Sequence, residues 1–227
     1  MKLVVFGASG TIGSALTNLV RERHIEVLSL SRTIEKRGFL IIDESKEWLR
    51  GIEEFQGSGE NASFVFCQGL NLNDDIYELG EFPKVFSANV GFILESVSSL
   101  LTSGNLKSGS TIVIVSSVWQ DYSRTRKLSY SVSKSALRGL INSLVADLSS
   151  SKIRINAVLP GVVDSKMTRE NLSKAQIKNI EMQTPSGSLV TANQVAEAIV
   201  WLTSPNSSGV NGQFITIDNG WSNVRTI

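Results

Sequence analysis

Short runs of apolar and β-branched residues recur along this chain, each followed by a longer stretch with helical spacing. No other feature constrains the fold as much. The runs are Lys2–Phe6, Ile25–Leu30, Phe39–Ile42, Ser63–Cys67, Thr111–Ser116, Ile153–Leu159 and Gln213–Ile217. They are continuous rather than alternating in polarity, as strands must be when both faces are buried. Helical spacing marks Ile12–Arg23, Ser45–Phe55, Phe82–Leu101, Ser131–Ser149 and Asn193–Thr203. Strands that alternate with helices require right-handed crossovers and hence a doubly wound parallel sheet. The expected architecture is an α/β fold of about seven strands in three layers, in a single domain covering residues 1–227. Loops are marked by Gly57–Gly59, Ser149–Ser151 and Ser204–Gly209, none long enough to link domains. The polar segment from Ser165 to Thr191 breaks the rhythm and reads either as a lid over a site or as a surface excursion.

Composition narrows the chemistry. One cysteine, Cys67, forbids an internal disulfide, and with one histidine, His24, no Cys/His zinc site can be assembled. His24 sits in an RERHIE stretch that reads as a solvated helix end, so no metal site and no histidine base is expected. The net charge of +1 comes without a stretch of five or more basic residues, which argues against nucleic-acid and membrane-surface partners. No apolar run approaches the ~18 residues of a membrane span. The apolar start at Leu3–Phe6 is broken by Gly7, Gly10 and Gly13, so it does not read as an export signal. The expected location is cytoplasmic.

Two motifs carry chemistry. Gly7-Ala8-Ser9-Gly10-Thr11-Ile12-Gly13 lies between the first strand and an amphipathic helix. Glycines there let the backbone approach a pyrophosphate, which the helix N-terminus and its amide N–H groups can hold. Tyr130 and Lys134 stand four apart, on one face of a helix. An ammonium near the phenol favours phenolate and would lower a pKa that is ordinarily about 10, fitting Tyr130 for proton exchange with a carbonyl or alcohol oxygen. Ser117 lies just past the fifth strand, and Asn89 lies on the helix before that strand.

With these residues on one chain in this order, the sequence resembles the classical short-chain dehydrogenase/reductase family from residue 2 to about residue 220. The resemblance implies a Rossmann-type sheet and a catalytic set of Asn89, Ser117, Tyr130 and Lys134. Within INAVLPGVVDS it places Pro160, Gly161, Val163 and Ser165 beside a nicotinamide, with Tyr130 and Lys134 also touching the cofactor. Asp43 and Gly69 match its adenine-side and fourth-strand positions, and GQFITIDNG resembles its last strand and turn. The implied reaction interconverts a ketone or aldehyde and an alcohol, with a small-molecule substrate and a homodimer or homotetramer paired through the two long helices.

The second strand ends Leu28-Ser29-Leu30-Ser31-Arg32 without the acidic residue that would bind the ribose hydroxyls of NAD. A Ser-Arg pair suits a 2′-phosphate instead, so NADP(H) is favoured over NAD(H), with Arg32 the main contact and Ser31 the second. Three departures from the family stand out. Phe6 replaces the usual Thr, the glycine spacing is GxxGxxG, and Phe66-Cys67-Gln68-Gly69 replaces NNAG. That spacing resembles the extended branch of the superfamily, whose second domain a chain of 227 residues is not expected to hold. Cys67 reads as a small buried apolar residue. These departures keep a non-catalytic dinucleotide-binding sensor or assembly subunit as the alternative. A second alternative is action on a nucleotide-linked sugar, with Trp119, Gln120 and Tyr122 lining a polar stacking pocket. Three lysines and an arginine against two glutamates between Lys166 and Thr184 hint at an anionic substrate.

Overall fold

The computed structural model describes residues 1–32, 39–58 and 60–224, so Gly59 of the expected Gly57–Gly59 loop lies outside the described residues. Seven parallel strands form one sheet: β1 Lys2–Phe6, β2 Glu26–Ser31, β3 Phe39–Ile41, β4 Ala62–Phe66, β5 Thr111–Val115, β6 Arg154–Pro160 and β7 Phe214–Ile217. Their order across the sheet is β3-β2-β1-β4-β5-β6-β7. The direction of winding therefore reverses between β1 and β4, which opens a crevice at the carboxyl ends of these strands.

The continuous apolar runs are explained by burial on both faces. Along β1, Val4 and Phe6 enter one core cluster while Leu3 and Val5 enter the other. In β5, Ile112 and Ile114 divide from Val113 and Val115 in the same way. Helices α1 (Thr11–Glu22) and α8 (Ala192–Thr203) supply the second cluster with Leu16, Val20, Val195 and Ile199. Helices α2 (Glu47–Gln56), α4 (Phe92–Thr102) and α5 (Leu128–Asp147) supply the first with Trp48, Ile52, Val97, Leu137 and Ile141.

A short helix α3 (Phe82–Phe86) runs into α4 through a π-helical turn, Ser87–Gly91. By length and composition the continuous helix Phe82–Thr102 could cross a membrane, although the sequence shows no apolar run of that length. Its serines, Asn89 and Glu95 interrupt the run, yet the mean hydropathy stays high enough for a span, and its apolar side, Val85, Ile93, Val97 and Leu100, is buried in the core.

After β6 the chain forms α6 (Lys166–Asn171) and α7 (Lys174–Gln183), the latter opened by a Ser173–Gln176 capping box. A parallel bridge between Val163 and Val190 closes the base of this excursion. The sequence expectation held no helices here, because α6 and α7 bury no residue and so show no apolar stripe. Helix α5 also begins three residues earlier than its spacing suggests, which puts Tyr130 in its first turn.

Two glycines hold the crevice together. Gly7 has φ +70°, and a Cβ there would lie 2.6 Å from the Gln68 amide nitrogen. A Cβ on Gly13 would lie 2.3 Å from the Gly7 carbonyl oxygen. Only without side chains can the end of β1 abut the end of β4 while α1 packs under the turn.

Candidate active site

A cleft of about 380 Å³ runs along the carboxyl edge of the sheet. At one end lie Gly7, Ser9, Gly10, Thr11 and Ile12, with Ser31 and Arg32 from the end of β2. Gly10 caps α1 without a side-chain hydrogen bond, and the first turn of α1 holds no acidic residue. Its amides are thus available to an anion, as a pyrophosphate requires. Ser9 and Ser31 hydroxyls lie 3.2 Å apart. The Arg32 guanidinium rests 5.3 Å from the Phe92 ring centroid, which directs it without neutralising it.

Two expected cofactor residues stand outside this lining. Gly13 acts through packing, as its closeness to Gly7 requires. Asp43 is exposed, and its Oδ1 accepts hydrogen bonds from the Ser45 amide (3.1 Å) and hydroxyl (2.5 Å), while its neighbour Ile42 lines the cleft.

The other end gathers Ser117, Tyr130 and Lys134 with Gly69, Pro160, Gly161, Val163 and Ser165. Ser117 caps a 3-10 turn, Val118–Gln120, accepting from the Trp119 amide at 3.3 Å. Buried Gln120 holds that turn, accepting from the Ser116 hydroxyl at 2.9 Å while its carbonyl accepts from Ser135 at 2.7 Å. Lys134 Nζ donates to the Val115 carbonyl at 3.0 Å and lies 5.7 Å from the Tyr130 ring centroid. Burial brings Lys134 down to about 8, with Cys67 pulling weakly the other way. Burial raises the Tyr130 phenol above its ordinary value, and the hydrogen bond to Ser117 lowers it. The sequence led to the opposite sign for Tyr130, because spacing reveals the lysine but not the loss of water around the ring. Cys67, expected to be buried, is half-buried: it packs against one apolar cluster and lines the cleft, where loss of water pushes its thiol up to about 12.

Asn89 lies in the π-helical turn, fully buried and outside the cleft. Its Oδ1 accepts from the Leu70 amide at 2.7 Å, and its Nδ2 donates to the Leu70 carbonyl at 3.0 Å and to Ser133 Oγ at 2.9 Å. Asn89 therefore pins the strand end that NNAG braces in the resembled family. Phe6 and Phe66, two of the departures, stack on each other at 4.5 Å and 11°. Trp48 and Phe92 meet Phe6 edge-on at 5.8 and 6.1 Å. The paired substitution replaces a polar brace by a ring cluster.

A profile of the enoyl-(acyl carrier protein) reductase family matches residues 75–222, well over half of the chain. The chain belongs to the classical short-chain dehydrogenase/reductase family. It is an oxidoreductase of that family, whose members bind NAD(P)(H), act on small molecules and are commonly oligomeric. It is 27% identical to the uncharacterized oxidoreductase YmfI of Bacillus subtilis, over 96% of this chain and 97% of that one. It is 24% identical to the 3-oxoacyl-[acyl-carrier-protein] reductase FabG of Buchnera aphidicola, over 96% and 95%. The solved structure of a short chain dehydrogenase family protein from Francisella tularensis superposes with a TM-score of 0.79 at 25% identity, covering 97% of this chain and 98% of that one.

Within this dehydrogenase/reductase the cleft also includes residues that motif matching passed over: Gln68, Asn71, Phe92, Arg124, Lys127, Met167, Asn171 and Leu172. The RTRK run from Arg124 to Lys127 was a legible signal; Gln68, with both amide atoms buried and unpartnered among the described residues, had none. Trp119 lines the cleft, whereas Gln120 and Tyr122 do not. Tyr122 packs edge-on against Trp221 at 6.0 Å and donates to the Ser222 carbonyl at 3.3 Å.

Proposed function

We propose that this protein is an NADP(H)-dependent enzyme interconverting a ketone or aldehyde and an alcohol, with Tyr130 as general acid and base. We read it as one cytoplasmic dinucleotide-binding domain with a substrate lid over 165–191. The observation that carries the reading is that Ser117, Tyr130 and Lys134 share one cleft with the glycine turn and with Arg32. The free N-terminus of α1 suits the pyrophosphate, and Ser31 with Arg32 suits a 2′-phosphate. No carboxylate lines the cleft among the described residues, so nothing there favours the ribose hydroxyls of NAD.

When bound, the nicotinamide supplies or takes the hydride. Tyr130, its phenol held above the ordinary value, is protonated near neutral pH and gives its proton to the substrate oxygen. Ser117, whose hydroxyl acts on the Tyr130 phenol to lower its pKa, holds the same oxygen. Lys134 keeps a cation beside the phenolate that forms, and its position against Val115 also suits it to the nicotinamide ribose. Asn89 is a positioning residue: through Leu70 it keeps Gly69 against Lys134, where a Cβ on Gly69 would come 3.6 Å from Nζ.

The test is Tyr130→Phe. Turnover should fall at least about 10³-fold while NADPH affinity stays within about twofold of wild type. Titrating both proteins with NADPH and NADH by fluorescence reads cofactor preference in the same experiment. Undiminished turnover in the variant would sink the mechanism, and equal affinity for the two cofactors would sink the assignment of Arg32.

A further inference from the structure

Four cations line the cleft, Arg32, Arg124, Lys127 and Lys134, and no carboxylate does so among the described residues. The function proposed above uses Arg32 and Lys134. It leaves Arg124 and Lys127 without a task.

Both come from the segment that joins Ser117 to Tyr130, so they border the end of the cleft where the substrate oxygen would sit. The Arg124 guanidinium lies 5.9 Å from the Trp119 ring centroid, and Trp119 is itself held edge-on by Trp221 at 5.8 Å. No carboxylate pairs with Arg124 among the described residues, although its neighbour Arg126 meets Glu78 at 3.7 Å. Lys127 is buried and immobilised, donating to Asn71 Oδ1 at 2.6 Å and to the Leu72 carbonyl at 3.4 Å. Burial and the neighbouring Arg124 bring it down to about 8 against the pull of Asp74. Asp74 offsets it only in part: that carboxylate turns its oxygens to the Ser129 amide and hydroxyl and forms no direct ion pair with Lys127 among the described residues.

The lid cations behave differently. Lys166 pairs with Glu170 at 3.6 Å and Arg169 with Asp164 at 2.8 Å, and none of Lys166, Arg169, Lys174 and Lys178 lines the cleft. The positive character that the sequence places in the lid therefore belongs, within the cleft, to Arg124 and Lys127.

A buried cation without an opposite charge is costly, and an anion brought to it offsets that cost. The planar fork of an arginine suits carboxylate and phosphate oxygens, and the Trp119 ring beside the exposed Arg124 orients its guanidinium toward the cleft that buried Lys127 also lines. We infer that Arg124 and Lys127 form a receptor for an acidic group on the substrate, which is a carbonyl or hydroxy compound carrying a carboxylate or a phosphate. The inference rests on the reading of Tyr130 as the acid–base group only for what the anion is attached to.

Equilibrium dialysis of labelled orthophosphate and labelled acetate against the full chain tests this directly, with NADP⁺ present to fill the Arg32 end. At least one probe should bind saturably at one site per chain, and Arg124→Gln should weaken that binding about tenfold or more. Arg138→Gln is the control: Arg138 pairs with Asp121 at 2.7 Å outside the cleft, and its loss should leave binding unchanged. Tighter phosphate assigns a phosphorylated substrate, and tighter acetate assigns a carboxylic acid. Absence of saturable binding by both probes, or equal binding by wild type and Arg124→Gln, overturns the receptor. Failure of the Tyr130 reading shows separately, as unimpaired turnover in Tyr130→Phe whose anion binding matches wild type.

Discussion

Lys134 holds its charge at 3% exposure with the Val115 carbonyl as hydrogen-bond partner, a poor exchange for water. Its pKa near 8, against an ordinary 10.5, makes that cost measurable. Between these values the folded chain binds fewer protons at this site than the unfolded chain, so the Lys134 contribution to stability rises with pH. The penalty is full below about pH 8 and gone above about pH 10.5, and it amounts to about 3 kcal/mol. Lys134→Met should therefore melt higher than wild type at pH 7, and the gap should close as pH rises through that window. Thermal denaturation of both proteins across pH 7–10.5 checks it; a gap independent of pH would mean that the lysine is not held against its solvation. Cys67 titrates the other way, its thiol raised to about 12 by loss of water and lowered in part by Lys134, so comparing the two proteins in a Cys67→Ala background isolates the lysine. Stability given up at one side chain is typical where a group is kept for chemistry rather than for the fold.

At the ends of β1 and β4, Phe6 and Phe66 take over a bracing task by stacking, and the coupling between them is accessible to a double-mutant cycle. Chemical denaturation of Phe6→Leu, Phe66→Leu and the double variant should give a coupling of about 1 kcal/mol beyond the additive loss. Additivity would show that the rings merely fill space. The same elements show what the sequence could reveal. Every strand of the sheet was legible: burial on both faces writes a continuous apolar run such as LVVF or TIVIV in the central strands, and the half-buried edge strands β3 and β7 still carry short apolar, β-branched runs. That the glycine turn, Ser117, Tyr130 and Lys134 meet in one cleft followed from motifs that each sit at the end of a strand or in one helical turn. Helices α6 and α7 were not, since amphipathic patterning records burial and they bury nothing. The partnership of Asn89 with Leu70 was not legible either: it spans 19 residues and depends on a turn type that local propensity does not encode.

The whole molecule presents apolar side chains outward on its two long helices, with Leu94 and Leu101 on α4 and Val132 on α5. In a family that is commonly oligomeric, these faces are where a second copy would pack. Size-exclusion chromatography with light scattering should return a dimer or larger species, and Leu94→Glu combined with Val132→Glu should shift it toward the monomer. A monomeric wild type would leave those side chains without a partner. The helix that carries one of these faces also carries Asn89, and the π-helical turn between them sets a limit on how the gene can change. One residue removed from Ser87–Gly91 would leave an ordinary α-helix, yet would rotate everything beyond it by about 100°. Either Ile93, Val97 and Leu100 would leave the core, or Asn89 would swing away from Leu70. A substitution at exposed Ser87 can be absorbed, whereas buried Ala88, Asn89 and Val90 hold their places; a shortening cannot be absorbed at all, and lineages of this chain are expected to keep the count of residues there.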